Sequence, residues 1–232
     1  MDLLTDGFTQ ALRLLASGDP EVLHAIWVTF YVTIVATFAA SLLALPYGTW
    51  LAIRRPRLHG LQLFGLRYAV FIPTVIVGLF VYSLLSRRGV LGGLDLLYTQ
   101  EAVIVGEFLL AFPILGTFAH AAASSADGRR AFEAARTLGA SPLRALITVM
   151  SESRAALLSA WLVAVARCYA ELGVVTTVGG NLRLHTRTLS STIQLELRRG
   201  DFAKGVACGI ILLTVALTFA IGGDLLSRRR KR

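Results

Sequence analysis

Arg167 and Glu171 stand four residues apart inside one apolar stretch, the spacing that puts two side chains one turn apart on a helix face. Arg167 follows the boundary residue Arg154 by about 20 Å of helix, which is near the middle of a bilayer. A charge at that depth costs about 2.5–3.5 kcal/mol on insertion scales, so both side chains must face an interior or a wet cavity. Two chemistries fit. The pair can neutralise itself and hold a helix bundle together, or it can line or gate a path in which Arg167 offers positive potential to a passing anion. Thr176 and Thr177 add hydroxyls one to two turns further on, able to serve an oxyanion or to bond back to the preceding turn. Ala166, Ala170, Gly173 and Thr177 form a neighbouring small-residue face that permits close helix contact, across a dimer axis among other places.

A second polar island lies just upstream. Residues 127–154 read DGRRAFEAARTLGASPLRALITVMSESR. Asp127 is placed to cap a helix in which Ala131, Ala135 and Leu138 share one face. Leu138-Gly139 ends that helix, because glycine takes the left-handed conformation of a C-terminal cap. Ser141-Pro142 starts another, serine as cap and proline at the first helical position, where its missing N–H costs nothing. The expected product is a bent helix–Gly–helix knob at the membrane surface, shaped to enter a groove on a partner protein.

These islands need a scaffold, and the composition dictates which. Of 232 residues 55% are hydrophobic and 16% charged, with a mean hydropathy of +0.67. A soluble domain cannot hide that much apolar surface, so the chain reads as an all-α integral membrane protein of about five spans. Residues 1–18 form an amphipathic segment with Leu4, Phe8, Ala11, Leu12 and Leu15 on one stripe, lying in the interface outside the membrane. Asp19-Pro20 opens the membrane domain, 19–226. Its spans are predicted at 23–53 (kinked near Pro46), 61–85 (interrupted by Pro73), 99–123 (carrying Glu107 and Pro113), 155–178 and 202–226. Residues 182–201 hold a short helical pattern, Leu189, Ile193 and Leu197, too brief to cross. A basic tail, 227–232, closes the chain. The first residues are acidic and the first apolar run is long enough to remain as a span, so no signal peptide is expected.

Charge sets the orientation. With the amino terminus outside, the inner segments hold Arg54, Arg55, Arg57 and Arg67, then Arg129, Arg130, Arg136, Arg144 and Arg154, then the tail. The outer segments hold fewer cations, which puts the 127–154 island and the carboxy terminus in the cytoplasm. The net charge of +9 thus belongs to membrane topology and anionic headgroups rather than to nucleic acid. Cys168 and Cys208 both fall inside spans and read as buried thiols. The histidines are scattered and no metal-ligand spacing occurs, so no metal site is expected. No Gly-x-x-x-x-Gly-Lys-Ser/Thr is present, so this chain does not supply the usual ATP-binding loop; it is no enzyme by itself, and no catalytic residue or bound cofactor is expected.

The island's Glu133-Ala134-Ala135, three residues, then Gly139, resembles the EAA loop of ABC-importer permeases. The usual Ile-x-Leu-Pro ending is replaced by Val149-Met150-Ser151-Glu152. Arg167-Cys168-Tyr169-Ala170-Glu171-Leu172-Gly173 with Val178-Gly179-Gly180-Asn181, and Ile72-Pro73-Thr74-Val75-Ile76-Val77-Gly78, are similar to segments of molybdate- and tungstate-type permeases. Ser17-Gly18-Asp19-Pro20 and Gly200-Asp201-Phe202 resemble the tungstate branch. The resemblance implies the type I importer permease fold and import of a tetrahedral oxyanion, tungstate first, with molybdate or sulfate as alternatives. It implies a homodimer in a prokaryotic inner membrane, a delivering extracytoplasmic binding protein, and separate ATPase subunits that carry the ATP and Mg. Glu133, Ala134, Ala135, Leu138, Gly139, Ser141 and Pro142 would couple to the ATPase. Pro73, Gly78, Arg167, Glu171, Gly173, Thr176, Thr177 and Asn181 would line or gate the path. An ion-gradient-driven transporter, with Arg167–Glu171 as its coupling site, is the alternative from another class. A membrane-embedded enzyme fits less well, since no compact acid, metal or nucleophile cluster stands out.

Overall fold

A computed structural model describes residues 3–228, and among these every regular element is helical. Helix α1, Leu3–Ala16, is followed by Gly18 at φ +64° and then by α2, Pro20–Arg54. Asp19 starts α2 as its cap, its Oδ1 accepting from the amides of Glu21 and Val22 at 2.9 and 3.0 Å. Phe8 and Leu12 of α1 are exposed; the side chains of Leu4, Ala11 and Leu15 and the tail residues 229–232 lie outside the described residues. The chain continues through α3 (His59–Ala69), α4 (Thr74–Leu85) and α5 (Gln100–Ser124), with Pro46 and Pro113 inside uninterrupted helices. Then come α6 (Ala126–Thr137), α7 (Pro142–Glu152), α8 (Arg154–Tyr169), α9 (Gly173–Gly179), α10 (Leu189–Arg199) and α11 (Phe202–Arg228).

Among the described residues three helices are long and apolar enough to cross a membrane, or up to five spans if each of two bent pairs, α3 with α4 and α7 with α8, counts as one. The α3–α4 break sits at Val70–Pro73, where the residue before proline is pushed out of helical geometry. The prediction of one continuous span over 155–178 is corrected: α8 ends at Tyr169, and α9 begins only at Gly173. The small-residue face through Ala166, Ala170, Gly173 and Thr177 is therefore split by the break.

The chain forms two compact units. One comprises Met1–Ala36, Pro73–Glu107 and Ala166–Phe219. Its apolar cluster joins Val22 and Ala25 of α2, Tyr169 of α8, Leu189 of α10, and Ala207, Cys208 and Ile211 of α11. Thr188 and Ser191 make a capping box on α10, and the Leu189 amide donates to Thr29 Oγ1 at 2.9 Å, tying α10 to α2. The buried face of α10 is largely polar, with Ser190, Ser191, Thr192 and Glu196, while Leu197 is exposed.

The other unit comprises Thr37–Ile72, Phe108–Val165 and Ala220–Arg232. Here α2 and α5 touch through glycine: a Cβ on Gly48 would overlap the Gly116 carbonyl oxygen and stand 3.0 Å from Ala119 Cβ. Such close backbone approach is how helices associate where lipid gives no hydrophobic drive. His59 and His120, distant in sequence, meet at 3.2 Å between their Nε2 atoms.

Gly48→Val is expected to destabilise the protein by about 1–3 kcal/mol through overpacking against that carbonyl. Gly65→Ala, where nothing lies within 4 Å of the new methyl, is expected to gain about 0.5–1 kcal/mol in a helix interior. Thermal unfolding in detergent reads both; equal effects would contradict the glycine contact.

Candidate translocation and docking sites

The interrupted helix carries the first candidate site. The chain leaves α8 at Tyr169 and crosses Ala170-Glu171-Leu172 without helical bonding. Glu171 holds this break together. Its Oε1 accepts from the Val174 amide at 3.2 Å, capping α9, and its Oε2 accepts from Arg167 NH1 at 2.7 Å. Its amide donates to Cys168 O at 2.9 Å, and its carbonyl accepts from Ser190 Oγ at 2.6 Å. The Glu171 side chain is 2% exposed and that of Arg167 45%. So the buried carboxylate anchors an arginine whose side chain is still nearly half exposed, an arrangement able to offer positive potential to an anion while its own charge is offset. The pair bonds as the four-residue spacing suggests, but across a helix break rather than along one face.

The other path candidates divide by what they touch. A Cβ on Gly78 would stand 3.0 Å from Thr177 Cβ, and one on Gly173 would stand 2.6 Å from Thr74 Oγ1. Gly78, Gly173 and Thr177 therefore form the contact between α4 and α9. Both threonine hydroxyls bond to backbone: Thr176 Oγ1 donates to Leu172 O at 2.8 Å and Thr177 Oγ1 to Gly173 O at 2.7 Å. Pro73 is exposed at the start of α4, its carbonyl accepting from the Ile76 amide. Asn181, at φ +51°, accepts from Arg187 Nε at 3.1 Å, and Arg187 reaches Glu21 at 3.7 Å, where Arg183 also pairs. Asn181 thus belongs to a clasp between the loop after α9 and the start of α2.

The second candidate site is the α6–α7 elbow. Its start corrects the sequence reading: Ser125, not Asp127, caps α6, its Oγ accepting from the Gly128 amide at 3.1 Å. Serine's short side chain reaches that amide from the non-helical position, while Asp127 is already inside the helix, almost fully exposed beside Arg130. At the bend Gly139 has φ +82°, its amide donates to Arg136 O and the Ala140 amide to Ala135 O, each at 3.0 Å. That is the Schellman closure. Nothing lies within 4 Å of a Cβ at Gly139, so glycine is required there by backbone conformation alone. Ser141 Oγ accepts from the Arg144 amide at 3.3 Å and Pro142 follows at the first turn of α7. Leu138 is 88% and Leu143 68% exposed, an apolar tip on the bend. Ala135 is buried, whereas Glu133 and Ala134 are exposed. Ala134, Ala135 and Leu138 also line a concave groove of about 800 Å³ between the two arms.

Two residues near these sites carry roles that the sequence reading does not assign. Ser190 fixes the break from α10, and Glu107, 1% exposed with no hydrogen bond to Oε2, is buried in the same unit, where its carbonyl accepts from Cys168 Sγ at 3.7 Å. The Thr29, Thr33, Thr37 spacing inside an apolar helix is the one signal in the sequence for a buried polar stripe. Among the described residues no group of three His, Cys, Asp or Glu side chains is placed to hold a metal ion.

No family model matches the chain. It is 34% identical to the tungstate uptake system permease protein TupB of Peptoclostridium acidaminophilum, over 98% of both chains. It is 36% identical to the protein of the same name from Campylobacter jejuni, over 93% of this chain and 90% of that one. A probable anion ABC transporter permease of Haloferax volcanii is 32% identical over 88% of this chain and 91% of its own. Among solved structures, the inward-facing MetNI methionine ABC transporter covers 91% of this chain, with 97% of that chain matched, at a TM-score of 0.71 and 19% identity, which establishes a common fold. With three such relatives matched over most of their lengths, the chain belongs to the permease family of ABC importers.

Proposed function

We propose that this chain is the membrane-spanning permease subunit of an ATP-driven importer of a tetrahedral oxyanion, tungstate first. The observation that carries this reading is the near full-length similarity to two permeases named for tungstate uptake. A molybdenum transport permease of Azotobacter vinelandii, at 26% identity, makes molybdate the second cargo. Two copies form the path, each contributing the Glu171-anchored Arg167. The elbow serves as the coupling element: Leu138, Leu143 and Glu133 face the ATPase subunit, Gly139 sets the bend, Ser141 and Pro142 start the second arm, and Ala134 and Ala135 keep the inner wall narrow. ATP and Mg belong to that ATPase. An extracytoplasmic binding protein delivers the anion. The amino terminus lies outside a prokaryotic inner membrane and the carboxy terminus inside, following the cation distribution. Hydrolysis rocks the paired bundles between outward- and inward-facing states.

In proteoliposomes holding the permease, its ATPase and its binding protein, tungstate is expected to accumulate only with ATP; accumulation at full rate without the ATPase would overturn the proposal. Arg167→Ala should lower uptake by about tenfold, ~1.4 kcal/mol of barrier, in protein that still inserts and assembles, over and above the lower melting temperature that comes from leaving the buried Glu171 carboxylate without its cation. An earlier melt with unchanged uptake would instead assign the pair a purely structural task. Gly139→Pro locks φ near −65° and deletes the amide that donates to Arg136, so it should abolish transport-coupled ATP hydrolysis while membrane insertion is retained. Glu133→Arg should weaken ATPase co-purification about fivefold, ~1 kcal/mol, and an unchanged pull-down would exclude Glu133 from the contact.

A further inference from the structure

A groove of about 530 Å³ opens in the second unit between α2, the end of α7 and the start of α8. Phe38, Leu45, Met150, Leu157 and Trp161 make most of its walls, and Ser41, Ser151 and Arg154 are its polar lining residues. Arg154 is the first residue of α8 and Trp161 lies about 10 Å further along that helix, so cationic and apolar portions are separated along the helix axis. Arg154 is exposed, makes no ion pair among the described residues, and shares the lining with no acidic side chain. An apolar trough with one unpaired guanidinium among its lining residues is the complement of an anionic amphiphile. We infer that this groove binds an anionic phospholipid, its phosphate on the Arg154 guanidinium beside Ser151 and an acyl chain along Leu157, Trp161 and Phe38. The charge argues against a second copy of the chain as occupant. A two-fold contact through this surface would bring two Arg154 side chains into one interface with no acid in the lining to offset them. A zwitterionic lipid could supply the chain but not the net negative charge.

The sequence holds three tryptophans, so Trp27→Phe with Trp50→Phe leaves Trp161 as the sole emitter. In full-length protein reconstituted at equal mole fractions, brominated phosphatidylglycerol is expected to quench Trp161 with about fivefold higher apparent affinity than brominated phosphatidylcholine, the preference one basic residue confers near anionic lipid. Arg154→Gln should abolish the preference and Arg154→Lys should keep it. Equal quenching by the two lipids would overturn the inference, leaving only bulk lipid around the helix. Quenching by neither would overturn it as well, and self-cross-linking through the groove would then identify a second copy as the occupant. Native mass spectrometry of the unsubstituted protein tests the same preference without the tryptophan changes: phosphatidylglycerol adducts should outlast phosphatidylcholine adducts, and equal retention would count against the site.

Discussion

Inside a membrane no water is available to take an unpaired peptide group, and each one left over costs several kcal/mol. A helix interrupted within an apolar segment therefore has to satisfy its own terminal backbone groups locally. Ala170-Glu171-Leu172 does so through one residue: the Glu171 carboxylate caps α9, its amide bonds back into α8, and its carbonyl is taken by Ser190. The same carboxylate fixes Arg167 at 2.7 Å. Removing it would leave Arg167 without its counter-charge and the first turn of α9 without its acceptor together. The break and the charge pair are one structural unit, and the half-exposed Arg167 side chain is its outward consequence.

Glycine does two distinct jobs in this chain. Gly48, Gly78 and Gly173 are sites of close approach, where a methyl group would meet backbone or a threonine side chain of the neighbouring helix. At these positions the missing side chain lets helices come into van der Waals contact, the main attraction left when the solvent is itself hydrocarbon. Gly139 is the opposite case. Its surroundings are open, and only its left-handed backbone demands glycine. One set holds spans together, and the other shapes an exposed elbow whose bend is closed by hydrogen bonds within the chain.

The residues singled out for transport separate by unit. All path candidates fall in the unit built from 1–36, 73–107 and 166–219, and all docking candidates in the other. Helices α2, α5, α8 and α11 contribute residues to both. The exposed Leu138 and Leu143 leave an apolar tip uncovered among the described residues, and the concave side of the elbow mixes Ala131, Ala134, Ala135 and Ala140 with the charged Asp127, Arg130 and Glu152. Both features suit a docking element better than a lipid-facing turn.

Hydropathy, proline and glycine positions, and local capping chemistry determined much of this protein from the sequence alone. Long apolar runs mark membrane helices, though not where one breaks, and Asp19, Gly139, Ser141 and Pro142 act through neighbours within four residues, so their effect is visible without a fold. The cap of α6 is the local exception, because Ser125 and Asp127 are both competent acceptors and only the backbone conformation chooses serine over the expected aspartate. Tertiary structure alone decided the rest. That the Glu171 carbonyl in the break after Tyr169 is satisfied depends on Ser190, nineteen residues further on. That Gly78 and Gly173 are packing contacts depends on which helix lies against them. Periodicity reports which face of a helix is apolar; it cannot report which partner fills that face, because the partner is chosen by contacts between residues far apart along the chain.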